Sequence, residues 1–156
     1  MLPEYLGEWN IMSNGTKTPA HLWIVGAVSL LWNCVGASDF AFTMLNSEFW
    51  LAGFTEAQVT HFNSSPAWAN AAWGLGTWGS LIGSVLLLLR SRHAMIAFLL
   101  SLIGLAGTTY YQFGMNFDKV TGLFGPMAIY VHIAVWAILI ALILYTRRQI
   151  AAGVLR

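Results

Sequence analysis

An all-α, integral membrane four-helix bundle is what this sequence predicts, on three observations. Four apolar runs are each long enough to cross a bilayer, they hold almost no charge, and the basic residues between them fall nearly all on one side. The runs lie at about 21–45, 66–89, 94–113 and 126–146. A hydrocarbon core of ~30 Å needs ~20 helical residues at 1.5 Å rise each. Asp39 is the single Asp, Glu, Lys or Arg inside any run. The chain is 58% hydrophobic and 8% charged, against about 25% charged in a soluble domain. Its 156 residues leave room for a single membrane domain, 1–156. A net charge of +1 carries no signal for nucleic acid.

The segment before the first run, 1–18, is polar and mixed, with Glu4, Glu8 and two apolar patches, Leu2–Leu6 and Trp9–Met12, ahead of an Asn14-Gly15 turn signal. It lacks the basic start of a signal peptide, and the first run is too long for a cleaved apolar region, so that run is expected to stay as an anchor. Lys17, Arg90, Arg92, Arg147, Arg148 and Arg156 share one side; Lys119 stands on the other with Asp118, Glu48 and Glu56. The positive-inside rule then predicts cytoplasmic termini, a cytoplasmic 1–18 segment and a cytoplasmic 90–93 turn, with 46–65 and 114–125 outside. Trp23, Trp50, Trp68, Tyr110, Tyr111 and Tyr145 sit near run ends, as an aromatic belt requires.

Between the first two runs, Thr55 and Gln58 have the spacing of a capping box ahead of Ala57, Val59 and Phe62, and Phe49, Trp50, Leu51 and Phe54 are apolar. A short outer interfacial helix is predicted there, either a connector resting on the membrane or a lid over an outward cavity. The 90–93 turn forces the second and third runs into a tight antiparallel hairpin. The stretch 114–125, with three glycines, reads as a flexible or re-entrant turn, and Pro126 opens the fourth helix.

Small residues predict how the hairpin packs. Gly79 and Gly83 form a GxxxG pair, and Ala72, Gly76, Ser80 and Ser84 form a second small stripe. Ser101, Gly104, Gly107 and Thr108 offer a matching face on the third run. One small face of the second run is left over for an oligomer or partner. Cys34, the sole cysteine, forms no internal disulfide and is expected as a small buried thiol. The two halves of the chain do not resemble each other, which argues against an inverted-repeat transporter.

Polar groups inside the runs carry the functional signal. An acid at membrane depth costs at least ~2.5–3.5 kcal/mol and needs water or a partner. Counted from His21, Asp39 lies ~27 Å along its helix, and His132, six residues after Pro126, lies ~9 Å below the same boundary. Asn70, Tyr110, Tyr111 and Gln112 fall at a similar level. Trp32, Gly36, Asp39 and Thr43 share a helical stripe in which Gly36 leaves room beside the carboxylate, and Trp136 is placed to floor His132. A small outward pocket holding Asp39, His132, Asn70, Tyr110 and Gln112, able to take a proton, a cation or a polar solute, stands beside the plainer reading of an interfacial acid and an interhelical histidine. Asn33 reads as interhelical glue. The four histidines lie on both sides without HxxxH or HExxH spacing, which predicts no metal site. One deep histidine gives no basis for a haem, so no cofactor is expected. No nucleophile elbow appears, so no enzymatic role is expected.

From Pro19 to Phe113, including HLWIVGAVSLLWNCVGASDFAFT, FTEAQV, PAWANAAWGLGTWGSLIGSVLLLLR and TTYYQF, the chain resembles a family of small four-helix bacterial inner-membrane proteins, often labelled sugar transporters. Trp32, Asn33, Gly36, Asp39, Pro66, Trp68, Trp73, Gly76 and Gly79 carry the resemblance. It implies a multi-pass protein of the bacterial inner membrane. Two functions are expected: an accessory subunit of a larger membrane complex, partnered by other subunits, or a small-solute or ion transporter acting as a homo-oligomer through Asp39 and His132.

Overall fold

The computed structural model describes residues 18–156. The apolar patches at Leu2–Leu6 and Trp9–Met12, the Asn14-Gly15 turn and Lys17 lie outside the described residues. Among the described residues every regular element is helical: α1 Ala20–Met44, α2 Glu48–Leu51, α3 Glu56–Asn63, α4 Ala67–Leu88, α5 Ala94–Thr109, which runs on as a π-helical segment Tyr110–Met115, then α6 Phe117–Phe124 and α7 Met127–Ala151. Four are long and apolar enough to cross a membrane: α1, α4, Ala94–Met115 and α7. The fourth therefore continues past the expected 146, and the third past 113. The stretch 114–125 is not a loose turn. It folds as α6, ended by Gly125 at φ 65°.

Local chemistry sets the boundaries. Pro19, Pro66 and Pro126 each stand directly before a spanning helix. Proline has no N–H to leave unsatisfied, and its carbonyl starts the ladder, accepting from Leu22 at 3.0 Å, Ala69 at 2.9 Å and Ile129 at 3.1 Å. Three spanning helices stop in the same way, with a left-handed residue at Asn46, Arg90 or Gly153. In each, a six-residue ring closes behind it: Ser47 N–H to Phe42 O, Ser91 N–H to Leu86 O, and Val154 N–H to Gln149 O. The expected capping box is formed. Thr55 Oγ1 accepts from the Gln58 N–H at 3.3 Å, and Gln58 Oε1 accepts from the Thr55 N–H at 2.8 Å.

The α4–α5 hairpin is the closest helix pair. A Cβ on Gly76 would sit 3.3 Å from the Leu105 nitrogen, one on Gly79 3.1 Å from Ser101, and one on Gly83 2.6 Å from the Phe98 ring. Gly104 lies directly against Gly76. Lipid tails are as apolar as these side chains, so close backbone approach and polar pairing carry the association. Ser101 Oγ donates to the Gly76 carbonyl at 2.6 Å, which leaves Ser80 Oγ to donate to Ser101 at 2.6 Å.

The small face expected to be left over is taken by α1. Asn33 Nδ2 donates to Ser84 Oγ at 2.8 Å and to the Ser80 carbonyl at 3.3 Å, and the Phe40 ring lies over Gly74. Asn33 thus bridges two helices, as interhelical glue does. Cys34, one position on, points the other way and is exposed rather than buried. Its neighbour Asn33 occupies the inward face.

At the arginine-rich end, Leu22, Leu87, Phe98, Leu139, Leu142, Val154 and Leu155 form the buried core. The final residues fold back there: the Arg92 N–H donates to the Arg156 carbonyl at 3.0 Å, and the Arg156 N–H donates to the Arg90 carbonyl at 2.9 Å. His21 and Tyr145 join α1 to α7 at the same end, Nδ1 to Oη 2.7 Å. The opposite end is capped by α3 and α6, with Gln58 Nε2 donating to the Leu123 carbonyl at 2.8 Å.

Candidate functional site

Above that core, α1, α4, α5 and α7 diverge around a cavity of about 370 Å³. Three members of the α1 stripe face it, since spacings of four and three put Trp32, Gly36 and Asp39 on one helical face. A Cβ on Gly36 would meet nothing closer than Thr77 at 4.0 Å, so this glycine keeps space open beside the acid. Helix α7 presents Val131, His132 and Val135, while Trp73, Gly76, Thr77 and Thr108 close the back. The floor is polar at one edge, where Asn33, Ser80 and Ser101 satisfy one another, and apolar at the other, where Leu105 and Leu139 rise from the core.

Asp39 and His132, from opposite halves of the chain, line this one cavity. Asp39 Oδ1 accepts a hydrogen bond from Trp50 Nε1 at 3.0 Å, and Trp50, carried by α2, is itself part of the lining. Its ring packs on Phe42 at a centroid distance of 5.5 Å. The α2 segment is thereby fastened over the carboxylate. His132 takes the edge of Phe113, centroids 4.7 Å apart, and its Nε2 is buried with no hydrogen-bond partner. Trp136 does not floor His132 as expected; its Nε1 donates to Thr109 Oγ1 at 3.0 Å and ties α7 to α5.

Three expected pocket residues lie elsewhere. Asn70 Nδ2 donates to the Ser65 carbonyl at 3.4 Å, at the entry to α4. Tyr110 is exposed beside Trp68. Gln112 accepts from His61 Nε2 at 3.3 Å on the capped end. The cause is the π-helical segment Tyr110–Met115, which adds a residue to the turn and rotates everything after Thr109 out of the α-helical phase. The same rotation turns Tyr111 inward, where it stacks on His61 at 6.3 Å, and so removes it from the aromatic belt. The residues missed by spacing alone are Trp50, Trp73, Thr77 and Phe113. Of these, Trp73 and Thr77 were readable: with Gly76 and Ser80 they make a stripe at three- and four-residue spacing.

His61 is the second histidine of interest. It is 1% exposed, enclosed by Tyr111, Phe62 and Phe124. Burial pushes its pKa below the ordinary histidine value; the Gln112 hydrogen bond opposes this, and the Lys119 charge adds to it. Nε2 carries the proton shared with Gln112, while Nδ1 is buried without a partner. His61 thus acts as a neutral wedge under the α3–α6 cap, away from the cavity.

No family model, curated protein or solved structure matches this chain.

Proposed function

We propose that this chain is a multi-pass protein of the bacterial inner membrane that binds a small solute or ion in an outward-facing cavity and passes it across the membrane as a homo-oligomer. The termini and the 90–93 turn lie in the cytoplasm, following the arginine bias, and α2 and α3 lie on the outer surface. The observation that carries this reading is the meeting of the one acid of the spanning helices with an unpartnered histidine nitrogen in a single cavity. Ionisable groups at membrane depth are costly and commonly mark a pathway. Trp50 fits the lid alternative better than a passive connector, because it reaches back to Asp39. The proposed activity is recognition and passage, with no bond made or broken.

Accessibility tests it. In a Cys34→Ser background, which removes the sole and exposed cysteine, Thr77→Cys places a thiol in the cavity wall. A membrane-impermeant thiol reagent added to intact spheroplasts should label it. Labelling seen only after solubilisation would reject an outward-facing cavity.

A second reading, an accessory subunit of a larger complex, is favoured by α7. Met127, Tyr130, Ile133, Ile140 and Leu144 leave much of that helix uncovered. Mild-detergent extraction, size separation and mass spectrometry separate the two. Stoichiometric co-migration with another membrane enzyme selects the subunit; migration as copies of this chain alone selects the transporter.

A further inference from the structure

We infer that the cavity is shaped for a lipophilic cation: a monovalent organic ammonium, or a group of similar charge, on a compact apolar body. This rests on the outward-cavity reading and deepens it.

The charge comes first. Asp39 and His132 are the two ionisable side chains among the lining residues described, and no Lys or Arg joins them. The carboxylate has one hydrogen bond, from Trp50, and no counter-ion. An ionised acid at this depth is expensive until a positive charge shares its surroundings. A cationic guest supplies that charge. An anion would meet the bare carboxylate.

The walls then fix what accompanies the charge. Trp32, Trp50 and Trp73 all line the cavity, and tryptophan faces attract cations through their quadrupole. A hydrated metal ion would need several oxygen ligands to replace its water, and Asp39 is the one carboxylate present. A sugar would bury its many hydroxyls against Val35, Val131, Val135, Leu105 and Leu139, which offer them no hydrogen bond. An apolar body meets the same surface at no such cost. The volume, about 370 Å³, is at the small end of ligand sites and suits one such molecule.

Access points the same way. Trp32, Val35 and Val131 line the cavity yet are 43%, 63% and 49% exposed, because they flank the gap between α1 and α7. Once the spanning helices are in a bilayer, that gap faces lipid, where an amphiphile already resides.

The test uses the full chain in lipid nanodiscs, with empty nanodiscs as background and radiolabelled hexyltrimethylammonium as probe. Asp39→Asn is the informative variant because its side-chain oxygen still accepts from Trp50 and holds α2 in place. Saturable binding is expected, about thirtyfold or more weaker in Asp39→Asn, the order seen when one member of a buried charge pair is removed. The neutral isostere, with a tert-butyl group in place of trimethylammonium, should compete poorly, and the cation should protect Thr77→Cys from the thiol reagent. Equal binding by Asp39→Asn, or equal competition by the neutral isostere, overturns the cation assignment. Absence of cation binding while Thr77→Cys is still labelled from outside overturns it too, and leaves the outward cavity standing. Loss of that outside labelling removes the cavity reading and this one together.

Discussion

Gly104→Ala is expected to destabilise the protein by about 1–3 kcal/mol, a large loss for the addition of one methyl group. The new Cβ would fall on the Gly76 backbone nitrogen, 2.6 Å from the Ala72 carbonyl oxygen and 2.8 Å from the Gly76 Cα. All three are main-chain atoms of α4, so no side chain can rotate aside and the helices must part. Parting them also stretches the Ser101–Gly76 and Ser80–Ser101 hydrogen bonds one turn away. Gly122→Ala is the matched control, since its Cβ would meet nothing within 4 Å and Ala is the better helix former. Denaturation midpoints in detergent should fall for Gly104→Ala and hold or rise for Gly122→Ala. Equal midpoints would mean that α4 and α5 do not approach as closely as described.

His61→Ala should cost roughly 2–4 kcal/mol, the range of large-to-small changes at enclosed sites. It empties the space between Tyr111 and Phe124 and strands Gln112. The wild-type protein should also lose stability in acid through this residue. The sign follows from the depressed pKa. Above about pH 6.5, the ordinary histidine value, the ring is neutral whether the cap is folded or not. As pH falls below that value the unfolded form takes up a proton that the folded form refuses, so stability declines until the folded pKa is reached. A protonated ring would carry an unpartnered Nδ1–H and a charge facing Lys119. Melting temperatures of wild type and His61→Gln between pH 7.5 and 5 should diverge, with wild type the more acid-sensitive. Parallel curves would sink the neutral-wedge assignment.

Much of the fold was legible because lipid makes harsh demands on composition. Four uncharged apolar stretches had to be helices, since an unpaired backbone is not tolerated in a bilayer. Three prolines and one capping box marked helix starts to within a residue or two. The glycine and serine stripes foretold the α4–α5 contact because close approach needs small side chains, whatever the partner. Periodicity also placed Gly36 and Asp39 together. It failed where the period changed. Residues 110–115 carry no proline or charge to announce a π-helical segment, so Tyr110 and Gln112 were projected onto the wrong face. It failed again where an apparent loop was glycine-rich yet amphipathic: α6 buries Val120 against the bundle, and its glycines Gly122 and Gly125 serve the exposed face and the exit turn. Trp50 needed three-dimensional knowledge, since nothing in a linear string says that α2 folds back over α1.

The fastening of α7 has a mechanical consequence. Its arginine-rich end is held by the Arg90–Arg156 and Arg92–Arg156 backbone pairs and by Tyr145 against His21, whereas at the level of His132 it borders the gap beside α1. The helix is therefore a lever with its fulcrum at one end. From Tyr145 to His132 the arm is ~20 Å, thirteen residues at 1.5 Å each, so a tilt of ~10° about the fastened end moves the imidazole by about 3.5 Å. The Trp136–Thr109 hydrogen bond lies two-thirds of the way along that arm and would be displaced by a little over 2 Å, enough to break it. A rotation too small to disturb the core around Leu142 and Val154 is thus sufficient to widen or shut the cavity mouth, with that single indole N–H as its catch.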